Sequence, residues 1–245
     1  MKVAVVLFIF LLLVACSKSE PTKVVIISGA ATKEVKSPVV EEKKDVAKST
    51  VFFGVTDAAL SLENVSSVLI SVDKLSIHNK DGWKNLTTDQ KIFDLYKLRG
   101  INLSEFLSLA TLEKDFYDQV SISFSNPVIF RNGVAETAFI TGKSLTFSLE
   151  SKLSKPTYVI MFDFILDESL HQTIENQLVF APVIKLVVNT ADKVDLSSDR
   201  VLRITNPRQV DSQKLGIDEK GRTLPSTGIW HDARLVFDQG ILRLA

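Results

Sequence analysis

Gln119-Val120-Ser121-Ile122-Ser123-Phe124-Ser125 alternates polar and apolar residues without a slip. Successive side chains of a strand point to opposite faces, so Val120, Ile122 and Phe124 share one face and the serines share the other. A helix would scatter those three apolar groups around its axis. The stretch therefore predicts a strand with one dry and one wet face, whose dry face needs a second layer to cover it.

The same signal repeats on both sides. Val68, Ile70 and Val72 alternate, and Leu75 and Ile77 continue the apolar set one residue out of phase, which predicts a β-bulge near Asp73-Lys74. Asn79-Lys80-Asp81-Gly82 turns the chain into Trp83-Lys84-Asn85-Leu86, and Asn132-Gly133 is a hairpin turn. Leu145, Phe147 and Leu149 alternate again. Residues 158–166 are apolar on both faces apart from Asp163, and residues 183–188 look similar, as central strands covered on both sides do. Asn102 and Glu105 read as a capping pair, with Leu103, Phe106, Leu107 and Ala110 at helical spacing behind them, so one short helix is expected there. The fold class that follows is mainly β: an antiparallel β-sandwich with one short helix.

The start of the chain is different. Met1 and Lys2 precede an unbroken apolar run over residues 3–14 that ends at Ala15, the anatomy of a secretory signal. The run is shorter than the roughly 20 apolar residues of a spanning helix. Leu13-Val14-Ala15-Cys16 resembles a lipobox, which assigns residues 1–15 to a lipoprotein signal peptide and makes Cys16 the lipidated N-terminus. Each buried acyl methylene contributes about 0.8 kcal/mol, so several chains on Cys16 give a stable membrane attachment. The location expected is the cell envelope, and the outer membrane if the source is Gram-negative, because Ser17 follows the cysteine where an aspartate favours inner-membrane retention. Residues 16–49 are rich in Lys, Glu, Ser and small residues and bury too little apolar area to offset their ordering entropy. They read as a flexible tether reaching about 30 Å, with Val24-Val25-Ile26-Ile27 as its one apolar stretch. The sandwich domain is expected over 50–190. A C-terminal extension over 191–245 ends in a hairpin about Asp238-Gln239-Gly240 and is too small for a core of its own, so it is expected to pack on the sandwich.

Composition removes several function classes. Lys+Arg and Asp+Glu both total 29, a net charge of +0, so nothing draws the chain to phosphate backbones and nucleic acid is not an expected partner. Cys16 is the only cysteine, which rules out an internal disulfide and a thiolate metal cluster. His78, His171 and His231 lack metal-ligand spacing, and no nucleophile elbow, phosphate-cradling loop or dinucleotide fingerprint occurs, so no cofactor is expected.

The runs Gly54-Val55-Thr56-Asp57-Ala58, 68–77, Gly82-Trp83, Phe93-Asp94-Leu95, Phe162-Asp163-Phe164 and Pro182-Val183-Ile184 resemble, in order and spacing over 51–189, the domain of unknown function 4382 family. Ala59 stands where a proline commonly follows in that family. The resemblance implies a lipoprotein with a sandwich domain likened to carbohydrate-binding folds, and it brings no catalytic residue.

Two candidate roles remain. In the first, the body binds a glycan or an envelope protein without catalysis, and Trp83, just past the turn at Gly82, is the candidate contact residue, because sugars stack on aromatic faces. Core packing is the commoner fate of such a tryptophan and stands against that reading of Trp83. In the second, the chain is an envelope hydrolase with a site assembled from dispersed residues, for which Asp163 paired with Asp57 or Asp73 is the nearest candidate, although nothing local supports the pair and a structural aspartate, bonded to backbone or facing solvent at an edge, is the plainer reading of Asp163. The oligomeric state is not written in the sequence.

Overall fold

The structure, a computed structural model, describes residues 47–57, 64–87, 89–101, 104–149, 152–230 and 232–245. The signal peptide, Cys16, the tether as far as residue 46, the apolar run at 24–27 and His231 lie outside the described residues. In chain order the elements are β1 (Lys48–Asp57), β2 (Val65–Asn79), β3 (Gly82–Asn85), β4 (Lys91–Asp94), α1 (Leu95–Ile101), β5 (Ser104–Glu113), β6 (Tyr117–Arg131), β7 (Val134–Thr137), β8 (Phe139–Ile140) and β9 (Ser144–Ser148). They continue as β10 (Thr157–Phe164), α2 (Leu166–Ser169), β11 (Leu170–Gln172), β12 (Leu178–Phe180), β13 (Val183–Thr190), β14 (Lys193–Leu196), β15 (Val201–Thr205), β16 (Arg208–Ile217), β17 (Thr223–Pro225), β18 (Leu235–Asp238) and β19 (Ile241–Leu244).

Two large sheets form a sandwich. The six-stranded sheet runs β3-β2-β6-β7, with β4 also on β2 and β9 also on β6. The eight-stranded sheet runs β14-β15-β5-β1-β10-β13-β16-β17. Val68, Ile70, Val72, Leu75 and Ile77 of β2 and Val120, Ile122 and Phe124 of β6 are all buried in the layer between them. Phe124 and Phe147 from one sheet meet Phe164 and Phe162 from the other edge-on, each pair with ring centroids 6.1 Å apart. Burying such a side chain contributes about 1.5–3 kcal/mol, so this aromatic layer is a main source of the cohesion between the sheets.

The expected bulge is present. Val72 pairs with Phe124 and Lys74 with Ser123, leaving Asp73 as the extra residue. That single insertion shifts the phase by one and returns Leu75 and Ile77 to the core. Asn132 and Gly133 both adopt positive φ in the β6–β7 turn, as do Gln239 and Gly240 between β18 and β19. A tight hairpin turn that follows the strand twist requires this conformation.

Three expectations need correction. The segment behind Asn102 is β5, paired antiparallel with β1, and not a helix. Leu107 is an extra residue opposite the Phe53–Gly54 step, so the alternation of β5 is broken there and its apolar residues fall at a helix-like spacing. The described helices are α1 and α2, two short ones in place of the single one expected. Finally, the sheets are not wholly antiparallel: β1 and β10 run parallel at the centre of the eight-stranded sheet, and β8 and β12 run parallel in a small sheet ordered β11-β12-β8. The chain between β1 and β10 builds the whole six-stranded sheet and also β5, which pairs with β1, and β8, a long connection of the kind a parallel pair requires.

The first strand begins at Lys48 and the extension is part of the sandwich layer, since β14 to β17 are hydrogen-bonded members of the eight-stranded sheet. The β18–β19 hairpin packs through Leu235 and Leu242 on Val179, Ala181 and Ile229, a second and smaller core. Among the described residues no helix is long and apolar enough to cross a membrane.

Candidate functional site

The wet face of the six-stranded sheet carries polar side chains in ordered rows. Register places Trp83, His78, Gln119 and Ser148 in one row across β3, β2, β6 and β9. Asn85, Ser76, Ser121 and Thr146 form the next row, and Lys74, Ser123 and Ser144 a third. Short hydroxyl side chains thus pave a floor, with an indole at one edge and an ammonium group near the bulge.

Trp83 owes its position to the β2–β3 turn. Asp81 donates its backbone N–H to Asn79 Oδ1 at 3.0 Å, and Gly82 takes φ +106°, a conformation that favours glycine. The chain therefore doubles back at once and sets Trp83 opposite His78. The two rings lie 5.0 Å apart at a tilt of 56°. His78 is held in turn by Asp118, Nδ1 to Oδ1 2.7 Å, and that hydrogen bond holds the Asp118 carboxyl below its ordinary range. Trp83 keeps 48% of its surface exposed, so it stands on the sheet and is not part of the core.

The indole walls a cleft of about 310 Å³, lined also by Lys74, Ser76, Ser121, Ser123 and Ser144. On its other side it borders a second cleft of about 390 Å³ that includes Lys48, Lys84, Thr111 and Tyr117. Both volumes fall within the usual range for small-ligand sites. In the first cleft the floor hydroxyls bond to the protein: Ser76 Oγ donates to Asn85 Oδ1 (2.9 Å), Thr146 Oγ1 to Ser121 Oγ (3.1 Å), and Ser121 Oγ to the carbonyl of Leu145 (3.3 Å). Their protons are engaged, which leaves oxygen lone pairs to face a ligand.

Of the residues singled out in the sequence, only Trp83 belongs to this cleft. Lys74 and the serines were legible as a strand face and not as a site. The signal was there in their chemistry: the outward positions of β6 and β9 carry Ser121, Ser123, Ser144, Thr146 and Ser148 where a plain solvent face usually carries Lys and Glu.

The aspartates do not converge. Thr56 pairs with Asp163, so Asp57, the next residue of β1, points to the opposite face, into the sandwich, where its Oδ1 accepts from Leu166 N at 3.3 Å. Asp73 stands on the other sheet. Asp163 lies on the outer face opposite Lys185 of β13; burial pushes its carboxyl above the ordinary range and Lys185 draws it back in part. Nearby, Lys214 Nζ bonds both Glu168 oxygens at 2.6 and 2.7 Å and Thr227 Oγ1 donates to the second at 2.6 Å. Burial pushes the Glu168 carboxyl up, and these bonds outweigh it and hold it below its ordinary range. That cluster is a neutralised structural clamp between α2 and β16. His171 is buried, its Nε2 3.1 Å from the carbonyl of Glu168. Among the described residues no three His, Cys, Asp or Glu side chains stand together as a metal site would require.

Comparison with known proteins gives one match and two blanks. No curated protein and no solved structure is detectably similar to the chain. Residues 48–182, more than half of the sequence, match the family described as Domain of unknown function (DUF4382); the match runs from the first residue of β1 to the residue before β13. With that coverage, carried on the β-sandwich just described, the chain belongs to the DUF4382 family.

Proposed function

We propose that this protein is a lipid-anchored, non-catalytic glycan-binding module of the cell envelope, and that the Trp83 cleft is its binding site. The observation that carries the reading is the pairing of a half-exposed indole with a floor of serine hydroxyls, of which Ser76 and Ser121 have their own protons engaged. A pyranose ring offers what this surface lacks: a C–H face to lie on the indole and many hydroxyl donors for the floor oxygens. An extended peptide would seek an open strand edge instead.

Two features favour binding over hydrolysis. Among the described residues the cleft is lined by serines, an indole and an ammonium group, with no carboxylate or imidazole to serve as a general base. Lys74 Nζ makes no hydrogen bond to any of these serine hydroxyls, so the geometry of a serine–lysine nucleophile is not formed.

Trp83→Ala is expected to weaken binding of the glycan ligand by at least about tenfold, roughly 1.4 kcal/mol, while the melting temperature stays within a few degrees of wild type. A glycan array followed by calorimetry on the best ligand measures the first quantity, and thermal unfolding the second. A sharp fall in melting temperature with unchanged affinity would place Trp83 in the fold and not in the site.

The anchor is the second part of the proposal and rests on the lipobox at Leu13 to Cys16. Labelled palmitate is expected to enter the wild-type protein in a bacterial host and to be absent from Cys16→Ser. Equal labelling of the two proteins would refute it.

A further inference from the structure

The chemistry of the cleft narrows the class of glycan. Lys74 is the only charged residue among its lining side chains. The bulge that makes Asp73 the extra residue sets Lys74 opposite Ser123, at the end of the hydroxyl floor. Its neighbour Asp73 does not neutralise it by pairing: that carboxylate accepts from Gln90 Nε2 at 2.7 Å and from Ser125 Oγ at 2.9 Å and is absent from the lining. Among the described residues no carboxylate forms an ion pair with Lys74. The cleft thus presents three kinds of surface together: an apolar aromatic face, hydroxyl oxygens that accept hydrogen bonds, and one ammonium group that is in no ion pair among the described residues.

A neutral sugar complements the first two and leaves the third without a partner. A simple anion complements the third alone. A sugar acid complements all three, with its C–H face on Trp83, its hydroxyls donating to the floor, and its carboxylate accepting from the Lys74 ammonium. We infer that the Trp83 cleft binds glycans built of uronic acids, with Lys74 as the residue that receives the carboxylate. The inference rests on the glycan reading above and goes beyond it in naming the charge.

The test uses the lipid-free chain from residue 17 onward and a panel of uronic acid oligosaccharides, galacturonate, glucuronate, mannuronate and guluronate. Each is titrated beside its methyl ester, which keeps the ring and the hydroxyls and removes the charge. At low ionic strength at least one acid form is expected to bind about three- to fivefold more tightly than its ester, the scale of one charge pair at an exposed site. That advantage is expected to shrink in about 1 M salt, where the screening length falls to about 3 Å. Lys74→Gln brings the acid down to the affinity of the ester, whereas Lys74→Arg keeps the preference. Equal binding of acid and ester, an acid preference that survives Lys74→Gln, or tighter binding of sulfated than of carboxylated oligosaccharides overturns the uronate assignment and leaves the glycan reading in place. If no acid, ester or neutral oligosaccharide binds, the glycan reading falls and the assignment falls with it.

Discussion

Ile122→Asp is expected to destabilise the protein by about 4 kcal/mol or more, enough to leave a marginal domain largely unfolded at physiological temperature. Ile122 is fully buried and sits between Leu75 of β2 and Leu145 of β9 in the inner face of the six-stranded sheet. An aspartate there loses the burial of the isoleucine and places an ionised or newly protonated carboxyl among Leu, Val and Phe, with no donor built to receive it. Ser123→Asp, one residue on, faces the opposite way and is half-exposed, so its effect on stability is expected within about 0.5 kcal/mol. Denaturant unfolding of the two variants beside wild type measures the contrast. Equal losses would show that both faces of β6 are covered. Ser123 also lines the cleft, so the second variant sets a carboxylate near Lys74 and separates the stability of this strand from the binding role proposed for its outer face.

That contrast marks what the sequence made readable. Alternation in β6, the phase shift at Asp73 and the hairpin turns at Asn132-Gly133 and Gln239-Gly240 are local signals, and each corresponds to an element of the fold. The failures share a cause: they depend on partners distant in the chain. Leu107 breaks the alternation of β5 because β1 pairs around it, and nothing within residues 102–110 announces β1. The parallel β1–β10 pair joins residues such as Phe53 and Ile160, whose local patterns suit either direction. The cleft is of the same kind. Asn85, Ser76, Ser121 and Thr146 become neighbours only through three separate strand registers, and each residue taken alone is an ordinary surface group. Trp83 was readable as a candidate because its turn is local, whereas Lys74 acquires meaning only from what the sheet sets beside it.

Gly228→Ala is the second substitution with a large expected effect, about 3 kcal/mol, and it reports on the other side of the molecule. The segment that follows β17 presses backbone to backbone on β16: a Cβ built on Gly228 would overlap the carbonyl group of Ile217, and one on Gly216 would overlap the backbone nitrogen of Gly228. Neither obstacle is a flexible side chain, so a methyl group at 228 forces one of the two backbone segments to move, an overpacking penalty of about 1–3 kcal/mol. The next residue, Ile229, is buried with Val179, Ala181, Leu235 and Leu242. Lifting the segment withdraws Ile229 from that cluster and forfeits part of the about 1.5–3 kcal/mol its burial contributes. The damage is expected to be local, because this small core is separate from the large one between the sheets. Hydrogen exchange should therefore lose protection over β18 and β19 while the amides of β2 and β6 keep theirs, and the Trp83 cleft, built wholly on the six-stranded sheet, should keep the glycan binding proposed for it. Uniform loss of protection across both sheets would mean that the hairpin is cooperative with the sandwich. A change below about 0.5 kcal/mol would mean that β16 yields easily, and that the close approach of Gly216 and Gly228 does not fix the position of the C-terminal segment.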